Sequence, residues 1–333
     1  MRAFNKENYM KSKNSKDLKE LINKDPVYIF GHQNPDTDSI CSALAYADLK
    51  ANQGMYNYIP ARLGEINRET NFVLSYFSSL KPQLITNCSN KNVVLVDHNE
   101  KSQSALGLET ANILEIIDHH RIANLETKAP LYVYMEPLGS TATIIYKRFL
   151  SARLLPSKNT AGLLLSALLS DTLILASPTT TDEDRLMAVS LASLAEIEDY
   201  KKYGKAMITE GSSLDGYSIP EILAIDRKMF TFGKISAFIS QVTTYKAEPV
   251  IAKKKDLIEY MDLFLKENNA TLSAVIITDL SKNSSTLFVT GEDAKLAHTA
   301  FNMQGDTAVL KDIVSRKTQI IPPLTEMAQK LNL

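Results

Sequence analysis

The stretch Gly31–Leu49, GHQNPDTDSICSALAYADL, follows the apolar run PVYIF and decides how the first half of the chain is read. His32, Asp36 and Asp38 fall within seven residues of turn-prone sequence, and an apolar segment follows at once. That segment, SICSALAYADLKANQ, places Ile40, Ala43, Leu44 and Ala47 at helical spacing. The pattern is strand, loop, helix. Asp38 or Ser39 is placed to cap the helix, which is the plain structural explanation of the loop. The other explanation is that His32, Asp36 and Asp38 begin a metal site, and the stretch alone leaves both open.

Working outward, short β-rich runs alternate with helical patterns. PVYIFGH, MYNYIPA, NVVLVDHN, NILEIIDHH and LYVYMEP read as strands, several nearly all apolar until a polar end. Strands buried on both faces and separated by helices predict a parallel α/β sheet rather than a sandwich. Helices are expected at NRETNFVLSYFSSL, STATIIYKRFLSA, NTAGLLLSALLSDTLIL and TDEDRLMAVSLASLAEIEDYKKYG, the last opened by a capping-box spacing of Thr181 and Asp184. EGSSLDGYSIP is the linker candidate. After it come a hairpin-like MFTFGKISAFISQVTT, a long helix near KKKDLIEYMDLFLKEN, strands at TLSAVIITD and STLFVTG, and a basic-then-Pro end. The expected organisation is a polar extension over residues 1–24 that leads into a short helix, a catalytic α/β domain over 25–210, a hinge at 211–219 and a smaller mixed α/β domain over 220–333.

Of five histidines, His32, His98, His119 and His120 sit where predicted strands end, each with an aspartate beside it or a few residues away. Parallel strands would bring YIFGHQNPDTD, VVLVDHN and LEIIDHH to one sheet edge, where ligand crevices form in open α/β sheets. Imidazole and carboxylate without thiolate suit Mn, Mg, Fe or Zn better than a cysteine-built structural zinc site. Several aspartates together repel one another unless cations hold them, and four carboxylates balance two divalent ions. Two ions about 3.5–4 Å apart are the usual device for phosphoryl hydrolysis. Each piece also has a structural explanation: an Asp-His after a strand is commonly a turn, and Asp171 in its apolar run could be a buried, hydrogen-bonded carboxylate. Recurrence at three strand ends favours the site.

The bulk properties narrow the class. A chain of 333 residues suits two domains, and 44% hydrophobic with 23% charged residues suits a packed core. Thirty-seven basic against 38 acidic residues give a formal charge of -1, so no whole-chain field attracts nucleic acid. Cys41 and Cys88 form no metal-type pair or disulfide framework. No secretory signal or membrane span is expected, so a cytoplasmic location is.

In order and spacing, GHQNPDTDS, VDHN, IDHH, SDT with SPTTTDED, and SRKTQIIPP resemble the manganese-dependent family II inorganic pyrophosphatases of the DHH phosphoesterase superfamily. The resemblance runs from Val27 to the end of the chain. It implies two domains with the active site in the cleft between them. It implies that His32 and Asp36 hold one metal, that Asp38, His119 and Asp171 hold the other, and that Asp97 bridges. His120 would contact a substrate phosphate, and Lys228, Arg316 and Lys317 would add positive charge from the second domain. His98 and Asp118 would sit behind the ligands and orient them. The implied reaction is hydrolysis of pyrophosphate by a metal-bridging hydroxide, with the second domain closing over the substrate. Two Mn²⁺ or Co²⁺ ions per site, Mg²⁺ entering with pyrophosphate and a homodimer through the first domain complete the expectation.

Gln33 departs from the lysine expected there in many members, with little catalytic consequence expected because its neighbours are intact. The residues before Asp25 extend past the usual start, and the spacing leaves no room for the regulatory nucleotide-binding insertion of some members. Two rivals remain. One is hydrolysis of short polyphosphates or oligoribonucleotides, against which stand the intact Asp118-His119-His120 triplet and the isolation of Gly291 and Gly305, with no glycine-rich segment in the second domain. The other is a non-catalytic metal- or nucleotide-binding regulator, against which stands the full ligand set.

Overall fold

The computed structural model describes residues 25–332. The short helix and polar arm expected before Asp25 lie outside the described residues. Contacts divide the chain after Gly211 into two compact units.

The first unit runs β1 (Val27–Phe30), α1 (Thr37–Asn52), β2 (Tyr58–Arg62), α2 (Arg68–Tyr76), β3 (Gln83–Leu84), β4 (Asn92–Val96), β5 (Asn112–Asp118) and β6 (Tyr132–Met135). Four further helices follow: α3 (Thr141–Ser151), α4 (Lys158–Asp171), α5 (Asp182–Leu194) and α6 (Tyr200–Gly211). The strands form one parallel sheet in the order β3-β2-β1-β4-β5-β6. Strand order reverses between β1 and β4, and the carboxyl ends of strands at such a switch point open a crevice.

Period-2 alternation sorts the side chains to the two faces. Val94 and Val96 of β4 join Val27, Ile29 and Ile117 in the core shared with the helices, including Ile40, Tyr146, Phe149 and Leu164. Val93 and Leu95 point the other way, packing with Phe30, Ala61 and Ile116 against Cys88, Ala105, Leu108 and Ala111. Helices cover the first face; the chain between β3 and β5 covers the second.

The second unit runs α7 (Ile219–Ala224), β7 (Lys228–Phe232), β8 (Ile235–Thr244), α8 (Glu248–Ile251), α9 (Lys254–Asn268), β9 (Leu272–Asp279), β10 (Ser284–Thr290), α10 (Lys295–Ala300), β11 (Thr307–Lys311) and α11 (Ile321–Lys330), the last entered by a π-type turn at Arg316–Ile320. Its sheet has the order β11-β10-β9-β8-β7, with only β8 and β9 parallel. The parallel sheet with flanking helices and the mixed second unit agree with the expected α/β class.

Several helix boundaries differ from the sequence reading, among them the end of α2 at Tyr76 rather than Leu80. The helix-like run through Leu175 stops at Asp171, where the Ile174 amide donates to Leu169 O at 2.8 Å and Leu173 takes φ of 49°. Ile174 and Leu175 continue with φ of 58° and 66°, giving three successive non-glycine residues in the left-handed region. The run from Thr181 breaks after Leu194, where Ile197 N donates to Ala192 O at 2.9 Å and Glu196 has φ of 56°. Both breaks close a helix as a Schellman cap does, but with Leu or Glu where glycine normally signals it. Finally, α1 is capped neither by Asp38 nor by Ser39: Asp36 is the N-cap, accepting from Ser39 N at 2.9 Å. Ser39 turns back instead, its Oγ accepting from His32 N at 3.0 Å, and a Cβ on Gly31 would stand 1.7 Å from that oxygen.

One buried charge pair braces the sheet against α1. Glu115 of β5 and Lys50 of α1 are 5% and 8% exposed, with Nζ 2.5 Å from Oε1. The Tyr46 and Tyr58 hydroxyls also donate to Glu115, and both rings flank the Lys50 ammonium. Lys50→Met should strand the carboxylate and cost about 3 kcal/mol in chemical denaturation, whereas Lys50→Met combined with Glu115→Leu should recover most of that loss.

Candidate metal centre

The site is built at the carboxyl ends of β1, β4 and β5. Gly31 ends the first strand and sends His32 outward, and the loop returns through Asp36 into α1, whose first turn carries Asp38. Asp97 follows β4 with φ of 58°, an uncommon conformation for aspartate, fixed by its amide donating to Ile117 O at 2.9 Å. Asp118 ends β5, His119 and His120 follow it, and Asp171 is the last residue of α4.

These side chains form overlapping clusters. Ligating atoms of His32, Asp36 and Asp97 lie within 4.8 Å of one another, as do those of Asp38, Asp97, His119 and Asp171. His32 Nε2 is 3.4 Å from Asp36 Oδ2 and 3.5 Å from Asp97 Oδ2. His119 Nε2 is 3.5 Å from both Asp97 Oδ1 and Asp171 Oδ2. The two Asp97 oxygens therefore face different clusters. Such separations approximate the edges, about 3.0–3.4 Å, of a polyhedron with metal–ligand bonds near 2.1 Å. Asp97 Oδ2 and His119 Nε2 are buried without a hydrogen-bond partner. Buried polar atoms are normally satisfied, so these two orphans fit a missing cation. A third grouping, Asp97 with His119 and His120, meets the same distance test.

The surroundings hold the donors in place. His119 Nδ1 lies 2.9 Å from Leu138 O, which makes Nδ1 the donor and leaves Nε2 free to ligate. Asp38 receives the amides of Thr141 and Ala142, at the start of α3, and the hydroxyls of Ser42 and Ser140. Asp118 accepts from Asn99 and faces His120 Nδ1 at 2.9 Å, leaving the half-exposed His120 with its Nε2 unclaimed by that pair. His98 is buried next to Asp97 in the chain, with Nδ1 on Val96 O and Nε2 near Ser104 Oγ, so its ring hydrogen-bonds to backbone and serine and not to a candidate ligand. Burial lowers its pKa, so it stays neutral. Gln33 Nε2 donates to Ser104 O at 2.5 Å, tying the first loop to the chain beyond β4.

Glu69 is a residue the sequence reading passed over. Its Oε1 accepts from Thr37, which lies between Asp36 and Asp38, and from Ser170, which precedes Asp171. An acid in the first turn of a helix carries no sign of this from sequence.

Burial and mutual charge shift the titration of the clustered groups. Burial disfavours charge on His32, but Asp36 and Asp97 outweigh it and raise its pKa to about 10. His119, opposed by burial but facing Asp97 and Asp38, rises to about 9. Burial and then Asp97 push Asp38 up to about 7, and burial with Asp38 and Asp97 pushes Asp171 well up. Despite burial, Asp97 is held below the usual carboxylate range by the two histidines.

Comparison with known proteins adds the family. Residues 26–168 match the model of the DHH family N-terminal domain, and residues 205–327 match the DHHA2 domain. A manganese-dependent inorganic pyrophosphatase of Bacillus subtilis (strain 168) is 43% identical over 304 residues, covering 90% of this chain and 98% of that protein. The chain belongs to the manganese-dependent inorganic pyrophosphatase family. A protein of Clostridium acetobutylicum named a probable member is 45% identical over 305 residues, covering 91% of this chain and 98% of its own. The crystal structure of a Methanococcus jannaschii "putative family II inorganic pyrophosphatase" aligns with a TM-score of 0.59 at 38% identity, over 91% of this chain and 99% of that one.

The cations that the family resemblance implied lie in the second unit. Arg316 is 6% exposed and donates to Asp226 O, to Ile239 O at 3.0 Å and to Asp226 Oδ2 at 2.8 Å. The exposed Lys228 ammonium is 3.3 Å from Asp226 Oδ1, and Lys317 is exposed beside Arg316. Desolvation opposes charge on Asp226, but Arg316 and Lys228 together outweigh it and lower its pKa. It was visible in the sequence only as the acid of DRK.

Protons on the imidazoles must leave before a metal binds. Mn²⁺ binding is expected to release protons, with affinity rising about tenfold per pH unit for each proton displaced between about pH 6 and 8. Parallel Mn²⁺ titrations in weak and strong buffer check this; a pH-independent affinity would remove His32 and His119 from the ligand set.

Proposed function

We propose that this chain hydrolyses inorganic pyrophosphate to two phosphates with two divalent cations at the His/Asp centre. The observation that carries the reading is the pair of ligand groups sharing Asp97, one oxygen toward each, with Asp97 Oδ2 and His119 Nε2 buried and unpartnered. In this reading His32 and Asp36 hold one ion, Asp38, His119 and Asp171 hold the other, and Asp97 bridges. The names of the relatives support manganese and pyrophosphate; Co²⁺ suits the same donors, and Mg²⁺ is proposed to enter with the substrate. When bound, the ions supply Lewis acidity and a water acidic enough to attack phosphorus in line at neutral pH.

The protein's own groups handle the remaining charge. Asp118 beside Nδ1 raises the pKa of His120, which favours its ring as a donor to a phosphate oxygen. Arg316 offers a planar fork pre-set by Asp226, while Lys228 and Lys317 act as point charges. With residues 211–219 as a hinge, these cations close over the substrate, exclude water and strengthen the electrostatics there. We further propose a cytoplasmic homodimer through the first unit, supported by β6, which ends its sheet and exposes Tyr132 and Val133. Among the described residues, no helix is long and apolar enough to cross a membrane.

Phosphate release from pyrophosphate should require Mn²⁺, cease with chelator and resume on adding the metal back. Tripolyphosphate and a short oligoribonucleotide assayed alongside should be poorer substrates; faster turnover of either would reassign the reaction, and Mn²⁺ binding without any turnover would make the chain a regulator. Asp97→Asn should lower both metal affinity and rate by more than about 100-fold, beyond what losing a group behind a ligand costs. Arg316→Lys, which keeps charge but loses the fork, should reduce kcat by about 100-fold.

A further inference from the structure

Asp184 is fully buried at the third position of α5, and it is more than a helix cap. A capping box needs the acid only to receive its N-cap residue, here the Thr181 amide and hydroxyl at 2.8 and 2.7 Å. Asp184 Oδ2 also accepts from Gly139 N at 2.8 Å, and Oδ1 accepts from Thr143 Oγ1 at 2.7 Å. A carboxylate has about four acceptor sites, so this one is saturated. Half of its capacity goes to a segment roughly forty residues earlier in the chain.

That segment is the rear wall of the metal centre. Leu138 O meets His119 Nδ1. Ser140 Oγ, Thr141 N and Ala142 N all donate to Asp38. Thr141 Oγ1 donates to Asp97 Oδ1 at 3.1 Å. Four of the five residues from Leu138 to Ala142 therefore touch three candidate ligands, and the fifth, Gly139, ties their path to α5 through Asp184. Gly139 is wedged between Asp184 and the residue that follows Asp171: a Cβ there would lie 2.8 Å from Asp184 Oδ2 and 2.6 Å from Thr172 Cγ2. Among the described residues no ion pair is made by Asp184, so this buried carboxyl is satisfied by hydrogen bonds alone.

We propose that Asp184 is a positioning residue that sets the geometry of the metal centre by anchoring the Leu138–Thr143 segment against α5. The inference rests on the reading that the His/Asp cluster holds divalent cations. Asp184 itself touches no candidate ligand; it acts through Gly139 and Thr143.

The test reads Mn²⁺ binding directly, by the free-ion electron paramagnetic resonance signal of metal-free full-length protein, without substrate and well below the melting temperature. Asp184→Ala should weaken Mn²⁺ binding by about 10–100-fold, the range for groups that orient metal ligands. Asp184→Asn should restore affinity to within about threefold, because the amide oxygen can receive Gly139 and Thr181 while the Thr143 hydroxyl reverses to accept. Thr181→Val removes the cap hydroxyl but leaves Gly139 held; it should lower Tm and leave Mn²⁺ affinity within about twofold.

Wild-type Mn²⁺ affinity in folded Asp184→Ala would overturn the proposal, as would an equal loss in Thr181→Val. If Asp184→Ala does not fold, Gly139→Ala, which pushes the segment off Asp184 from the other side, should show the same weakening. Failure of both to fold would reduce Asp184 to a stability role and overturn the proposal. If wild type binds Mn²⁺ but releases no phosphate from pyrophosphate, the functional reading fails while this comparison still stands.

Discussion

Asp38, Asp97 and Asp171 converge where burial and mutual repulsion prevent all three from being ionised together without countercharge. Much of the first unit answers that constraint. The switch between β1 and β4 brings distant strand ends together, and the start of α3 turns its amides onto Asp38. His32 and His119 face different oxygens of Asp97, and the carboxylates raise the pKa of both imidazoles. The same repulsion would favour a divalent ion among these carboxylates. Stability and metal binding are thus two sides of one electrostatic balance.

The strand ends were legible because each combines an apolar run with a sudden imidazole and carboxylate, which is a local signal. His32, Asp97 and His119 therefore meet as the parallel-sheet reading required. Asp171 was legible as a polar interruption in an apolar helix. The helix ends were not, because Leu173 and Glu196 take a backbone conformation that composition assigns to glycine. Asp36 as N-cap was missed because three neighbouring side chains could each cap, and only the return of Ser39 to the His32 amide breaks the tie. β3 and β11, a two-residue strand and a sheet-edge strand, lacked a pattern strong enough to mark them. The ties made by Glu69, Asp184 and Asp226 reach across the sequence or use surface-like residue types, so no local window reveals them.

Arg316 illustrates a division between charge and geometry. A free guanidinium would lose side-chain entropy on meeting a phosphate, whereas this one is already immobilised against Asp226 and two backbone carbonyls. The cost is that Asp226 competes for the same positive charge. Lys228 and Lys317 are exposed, Lys228 beside the same Asp226, so one buried cation stands with two at the surface.

The left-handed turn at Leu173–Leu175 has a consequence for how this protein can change. Three non-glycine residues there store about 1–3 kcal/mol each, directly after Asp171, with Leu175 turned inward and Leu173 left 56% exposed. Glycine at Leu173 would release part of that strain while loosening the end of α4 that presents the carboxylate. Backbone strain and the placement of the Asp171 carboxylate thus meet in one turn, so a change in either is felt by the other.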